Sequence, residues 1–214
     1  MDAELEVRPP KQRRSREAWN RVLDAGVALL EAGGYDAFTI AAVCERASVA
    51  PPAIYARTAS KDALFLAVYE HGIARLRADQ GRLRDAGAPE GRAPADLVRA
   101  VVAETVGIPL RHQTFLRPVV LLSAAHAEVR RRGSRYSQEL GQQFLEALTP
   151  ALSVMSHPDP EAAVRGTFGT VFAAAIIRVA YGPDFATAVP VDDDTFAAQL
   201  GETAVRYLLG APVS

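Results

Sequence analysis

The chain has one cysteine in 214 residues, which excludes an internal disulfide and fits a reducing compartment. It has no excess of either charge. Its 24 Lys and Arg stand against 25 Asp and Glu, a formal net charge of −1, so any affinity for nucleic acid must come from a local patch. Its histidines, His71, His112, His126 and His157, share no metal-ligand spacing, and no metal is expected. No nucleophile–base pair or pair of carboxylates recurs at a catalytic spacing, so no catalytic residue, no cofactor and no enzyme activity are expected. Apolar runs are short, and the richest, 171–177, falls well below a bilayer span. The opening MDAELEVRPP is acidic and has no apolar stretch, unlike a signal peptide. These absences point to a cytoplasmic protein that is not an enzyme. Alternating strand patterns and internal repeats are missing as well.

What is there is helical. Hydrophobic residues make up 49% and charged residues 23%, the balance of a globular chain with an ample core. A polar, proline-bearing arm over 1–14 is read as disordered. A first helix over 15–32 carries Trp19, Val22, Leu23, Gly26, Val27 and Leu30 on one stripe and stops at Gly33-Gly34. A fourth helix spans 61–84, with Leu64, Phe65, Val68, Gly72 and Leu76 on one side. After a loop over 85–94 come five more patterns. One covers 95–106 and is closed by Gly107 and Pro109. The next, 110–126, is kinked or interrupted by Pro118. A long one follows over 127–152, then one capped by Asp159 and stopped at Gly182, and last 194–209. The expected fold is all-α with about nine helices.

The most informative stretch is TIAAVCERASVAPPAIYARTASKDAL, residues 39–64. Thr39 caps a short helix whose Ile40, Val43, Cys44 and Ala47 share one face. Ser48 and Val49 turn the chain. Pro51 and Pro52 suit only a first helical turn, where backbone donors have no partner in any case, so a second short helix begins there. Ser60 caps the next helix. Two short helices joined by a tight turn make the layout of a helix-turn-helix DNA reader. Phe38, Val43, Val49, Ile54 and Tyr55 are expected to form its core. The turn favours a positive φ, so Ser48 is either strained by about 1 kcal/mol or sits in a slightly different turn.

These residues resemble the N-terminal domain of TetR-family transcriptional regulators. The family pattern of a Gly-aromatic helix end, a Thr cap, an Ala-Gly-Val turn and a Tyr-x-Tyr-Phe-x-x-Lys-acid-x-Leu segment is met here by Gly34-Tyr35, Thr39, Ala47-Ser48-Val49 and Tyr55 to Leu64. Ser48 stands where the family has glycine, Arg57 where it has an aromatic, and Thr58 where it has phenylalanine. The resemblance implies a reader over 15–60 and a larger helical effector-binding and dimerisation domain over 61–214, with 61–84 as the connecting helix. It also implies phosphate contacts from Thr39, Tyr55 and Lys61. Tyr55 reads equally as a core aromatic, and Lys61 as a solvated lysine, although a cation at a helix start opposes the dipole and is better explained by a bound anion.

Pro51, Pro52 and Ala53 would face the bases with apolar surface, leaving specificity to Arg57, Thr58 and DNA shape. Arg57 is read as a phosphate or guanine contact, or else as a surface arginine. Arg13, Arg14 and Arg16 either reach phosphates and a minor groove or form a solvated tail.

The last two helical patterns have broad apolar faces. Phe168, Val171, Phe172, Ile176, Phe196, Leu200 and Tyr207 are expected to pair with a second copy as a four-helix interface, giving a homodimer matched to a palindromic operator. The resemblance further implies a small-molecule pocket, with Phe65, Ile73, Val102, Thr105, Phe115, Val119, His126, Tyr136 and Phe168 as candidate lining for an apolar or aromatic effector. The expected function is a repressor released from double-stranded DNA by that effector. The alternative is a helix-turn-helix protein that acts without an effector, as regulator or scaffold.

Overall fold

The structure, a computed structural model, describes residues 13–87 and 91–210 and, of Arg14, the backbone alone. The expected arm therefore lies outside the described residues as far as residue 12. The described residues form ten α-helices and one 3-10 helix joined by turns and loops, and none of them is in a strand. The helices are α1 (Arg13–Ala37), α2 (Ile40–Ala47), α3 (Pro51–Tyr55), α4 (Lys61–Asp79), α5 (Gly81–Gly87), α6 (Pro94–Arg111), α7 (Gln113–Ser123), α8 (Ala127–Leu148), the 3-10 helix Thr149–Val154, α9 (Pro160–Tyr181) and α10 (Asp193–Leu209). The chain divides into two compact units. One runs through Arg75 and takes in Thr114–Val129. The other comprises Leu76–Gln113 and the chain from Arg130 on.

In the first unit α1 bends at Gly34, whose φ of 66° and ψ of −160° no helical residue adopts. The bend sends Tyr35 and Phe38 onto Phe65 of α4, edge-on at centroid distances of 5.0 and 5.8 Å. Trp19, Val22, Leu23, Val27 and Leu30 are buried as the stripe required, together with Phe38, Val43 and Ile54. Gly26 lets α1 approach α4, because a β-carbon there would meet Val68 and Phe38. Asp24 of α1 accepts from His71 and Arg75 of α4, both at 2.8 Å. The His71 hydrogen bond does most to hold its carboxyl below the ordinary value.

Ser48 settles the open question about the turn. It is left-handed, with φ 53° and ψ 51°, and its amide closes α2 on the Cys44 and Glu45 carbonyls. A Cβ-bearing residue in that region costs about 1–2 kcal/mol. Ser48 is exposed and caps with its backbone only. Ser48→Gly is therefore expected to raise stability by about 1 kcal/mol, read as a higher urea midpoint at unchanged m-value.

In the second unit α6 is the central helix. Leu97, Val98, Val101, Val102, Val106, Ile108 and Leu110 are buried where it packs on α5, α9, α10 and the 3-10 helix. Gly107 and Pro109 do not end it, contrary to the sequence reading. Pro109 removes one backbone donor, while the buried residues on either side carry the helix on to Arg111. The chain breaks instead at His112, the C-cap, and α7 passes through Pro118 as one helix.

The expected fourth helix also divides. Asp79 ends α4 and Gly81 opens α5, which brings the helix count to ten. Asp79 is tied at 3.2 Å to both Arg111 and His112. Burial alone would raise its pKa, but the His112 and Arg111 hydrogen bonds leave it lowered. Near Pro150 the long pattern expected over 127–152 tightens from α8 into the 3-10 helix, where a prolyl nitrogen cannot donate.

Arg178 of α9 is buried and held by several partners. It donates to Asp193 and to the Val191 carbonyl, each at 2.7 Å, and lies 4.6 Å from the Phe196 ring centroid. These bonds compensate a desolvated charge and fix both ends of the 182–192 loop. By length and composition α9 could cross a membrane. It instead buries Ala163, Val164, Thr167, Val171, Ala175 and Val179 against the protein, the pattern of a packed helix.

Candidate nucleic-acid interface

A five-residue helix has almost no stability of its own, and α3 is held by anchoring. Ile54 is fully buried beneath it, and the Ala56, Arg57 and Thr58 amides close its end on the Pro52 and Ile54 carbonyls. Pro51, Pro52 and Ala53 stand exposed along its first turn. Thr39 caps α2 by accepting the Ala42 amide at 3.1 Å and is itself exposed. Tyr55 is 57% exposed. It is not part of the reader core, and its ring and hydroxyl face outward.

Lys61 opens α4 with its ammonium 4.2 Å from the centroid of the Tyr35 ring. Burial, and then the Asp62 charge, raise the Tyr35 phenol above its ordinary value. Ser60 caps the same helix by accepting the Ala63 amide.

One expectation changes at the end of α3, and Arg57 acquires partners within the protein. Thr58 is 2% exposed, and its hydroxyl donates to the Ile54 carbonyl, so it cannot read a base. Its hydroxyl instead closes the end of α3. Arg57 is half-buried and turned toward α1, where its guanidinium lies 5.6 Å from the Trp19 ring centroid and donates to the Ser15 hydroxyl. Ser15, Ala18, Trp19, Val22, Val49, Ala53, Ala56 and Arg57 surround a cavity of about 200 Å³.

Arg13 is exposed and paired with Glu17 at 3.2 Å, Arg16 is exposed, and the side chain of Arg14 lies outside the description. Sequence reasoning missed Ser15, Trp19 and Tyr35 as partners of the reader's cations. The one available signal was Tyr35, the aromatic after Gly34.

The nine pocket candidates fall into both units. Phe65, Ile73, Phe115, Val119 and His126 belong to the first, and Val102, Thr105, Tyr136 and Phe168 to the second. Thr105 is buried with its hydroxyl on the Val101 carbonyl, and Phe168 packs on Phe144 at 5.6 Å. Burial pushes the Tyr136 phenol up to about 12. A cleft of about 810 Å³ between α6 and α10 is lined by none of the nine. Small residues floor it (Ala100, Ala103, Gly107, Ala197, Ala198 and Gly201), and Arg99 and Arg111 border it beside five carboxylates.

Of the expected dimer residues, Val171 is 3% exposed and belongs to the protomer core, because its side of α9 faces inward. Phe168, Phe172, Ile176, Phe196 and Leu200 are half-buried, and Tyr207 is exposed. The outward stripe of α9 consists of Gly166, Gly169, Thr170, Ala173, Ile177 and Tyr181. Burying Cys44 raises its thiol pKa, which suits a spacer rather than a reactive group.

Residues 22–68 match the family model described as bacterial regulatory proteins, tetR family. No curated protein matches the chain. Among solved structures, a TetR-like transcriptional regulator from Rhodococcus sp. RHA1 is 23% identical with a TM-score of 0.55, over 93% of this chain and 97% of that one. A bacterial regulatory protein in the tetR family from Rhodococcus RHA1 is 17% identical with a TM-score of 0.64, over 89% and 96%. A transcriptional regulator of the TetR/AcrR family from Thermobifida fusca YX-ER1 is 17% identical with a TM-score of 0.61, over 91% and 97%. At these identities the likeness establishes the fold.

Proposed function

We propose that this chain, a TetR-family transcriptional regulator by its reader segment and its fold, represses transcription as a homodimer on a palindromic operator and is released by a small molecule. The observation that carries DNA binding is the outward face of the reader. Thr39, Pro51, Pro52, Ala53 and Tyr55 are exposed together on two short helices whose other sides are fixed by Val43 and Ile54. Such a face can enter a major groove. Thr39, Tyr55 and Lys61 then take backbone phosphates, while the prolines and Ala53 touch thymine methyls. Arg57, bound to Ser15 and Trp19, sets the start of α1, with its exposed Arg13 and Arg16, against α3.

The dimer supplies the second reader. In the operator-binding state the two lie about 34–36 Å apart, one turn of DNA. An effector that binds better to another state draws the population away from that spacing. α4 begins in the reader unit and ends in the other, so it is the element through which we expect the shift to pass.

A duplex carrying an inverted repeat from upstream of the protein's own gene tests this reading. The purified protein should shift it in a single dimeric step, and indifference to any such duplex at low salt refutes the proposal. Lys61→Ala should weaken binding equally across operator variants and flatten the dependence of log K on log salt by about two units, one for each protomer. An unchanged slope removes Lys61 from the backbone contacts.

A further inference from the structure

We propose that His126 is a positioning residue for DNA binding: its imidazole clasps the first turn of α4 to the turn between α7 and α8 and so fixes where Lys61 stands. The inference rests on Lys61 as a phosphate contact. The backbone first sets the ring. The Ala125 and His126 amides both donate to the Leu122 carbonyl at 3.0 Å, closing the turn after α7. Nδ1 then accepts the Val129 amide at 3.3 Å, acting as a cap for the first turn of α8. An accepting Nδ1 leaves the ring proton on Nε2. That nitrogen is 2.7 Å from Oδ1 of Asp62, so it donates to the carboxylate. One ring thus satisfies a donor on α8 and an acceptor on α4.

The contacts continue around a closed circuit. The His126 ring lies 5.8 Å from Phe65, which is fully buried and meets Tyr35 edge-on at 5.0 Å. Tyr35 lies beneath the Lys61 ammonium, and Lys61 adjoins Asp62 in sequence. All five residues belong to the same compact unit. A lysine at a helix start gains nothing from the helix dipole, so its position depends on what holds it from outside. Tyr35 holds the ammonium, and His126, through Asp62, holds the turn that carries it. Without the clasp, that turn keeps its Ser60 cap but loses its link to α8.

The test measures affinity for a duplex carrying the upstream inverted repeat, with thermal unfolding of each variant alongside. His126→Gln can still donate to Asp62, His126→Asn can only cap Val129, and His126→Phe does neither. The Asn and Phe variants should lose roughly tenfold in affinity and the Gln variant less than about threefold. In a Lys61→Ala background none of the three should cost more than Lys61→Ala alone.

Equal losses in the Gln and Asn variants, or losses that add to that of Lys61→Ala, overturn the clasp. If Lys61→Ala alone changes nothing, the phosphate reading fails instead, and the clasp has nothing to act through. Should His126→Phe fail to fold, the Gln and Asn pair decides.

Discussion

Gly169→Arg is expected to leave each protomer folded, turn the dimer into monomers and cut operator affinity by more than about 100-fold, the scale on which a second linked site contributes. A β-carbon at Gly169 meets nothing within 4 Å, and the same holds at Gly166. The protomer therefore has room for a side chain at either place. Both glycines lie on the outward stripe of α9, in line with Thr170, Ala173, Ile177 and Tyr181. Small residues three and four apart let two helices approach closely, and the exposed Ile177 and Tyr181 beyond them supply apolar area. With this stripe as the expected seam between copies, an arginine in its middle should hold them apart and leave a charge to be desolvated. Sedimentation, circular dichroism and a gel shift on the same sample decide it. A Gly169→Arg protein that is still dimeric and still tight on the duplex removes α9 from the interface.

The second large effect lies within the reader unit. A β-carbon at Gly72 would fall inside the van der Waals envelope of the Phe115 ring, which packs on α4 at that point and is itself buried. Gly72→Ala should lower stability by about 3 kcal/mol, at the upper end for overpacking, despite the higher helix propensity of alanine. Phe115→Leu should restore part of the loss, so the double variant is more stable than the sum of the single ones allows. Urea unfolding of the four proteins gives the coupling. Simple additivity would mean that the two helices separate to admit the methyl group.

The reader was largely legible because local chemistry dictates it. Thr39 caps, Pro51 and Pro52 can only begin a helix, and Ile54 is the single long apolar residue of α3 that can anchor it. Those signals are read within a few residues. The burial of Thr58 and the partners of Arg57 are not legible because they depend on residues distant in sequence, or on a carbonyl freed by the end of α3. Nothing local to Arg57 says that Trp19 and Ser15 wait for it.

The same limit explains α6. Pro109 and Gly107 are stop signals by composition, yet the helix survives them because its neighbours are buried on several sides. The outward stripe of α9 went unnoticed for the opposite reason. Large apolar residues are the visible signal of a packing face, so the sequence points to Val171, which faces inward, and not to the exposed Gly166 and Gly169.

The buried guanidinium of Arg178 carries a consequence for how this protein can diversify. With Asp193 and the Val191 carbonyl gripping it from one end of the segment and α9 holding it at the other, residues 183–190 hang between two fixed posts. Their side chains are exposed, and apart from Phe185, whose ring stacks on Tyr181 of α9 at 4.5 Å, substitutions and short insertions there should pass unnoticed by the helices on either side. Relatives of this chain can be expected to differ most across that span while keeping an arginine and an acid at its two ends.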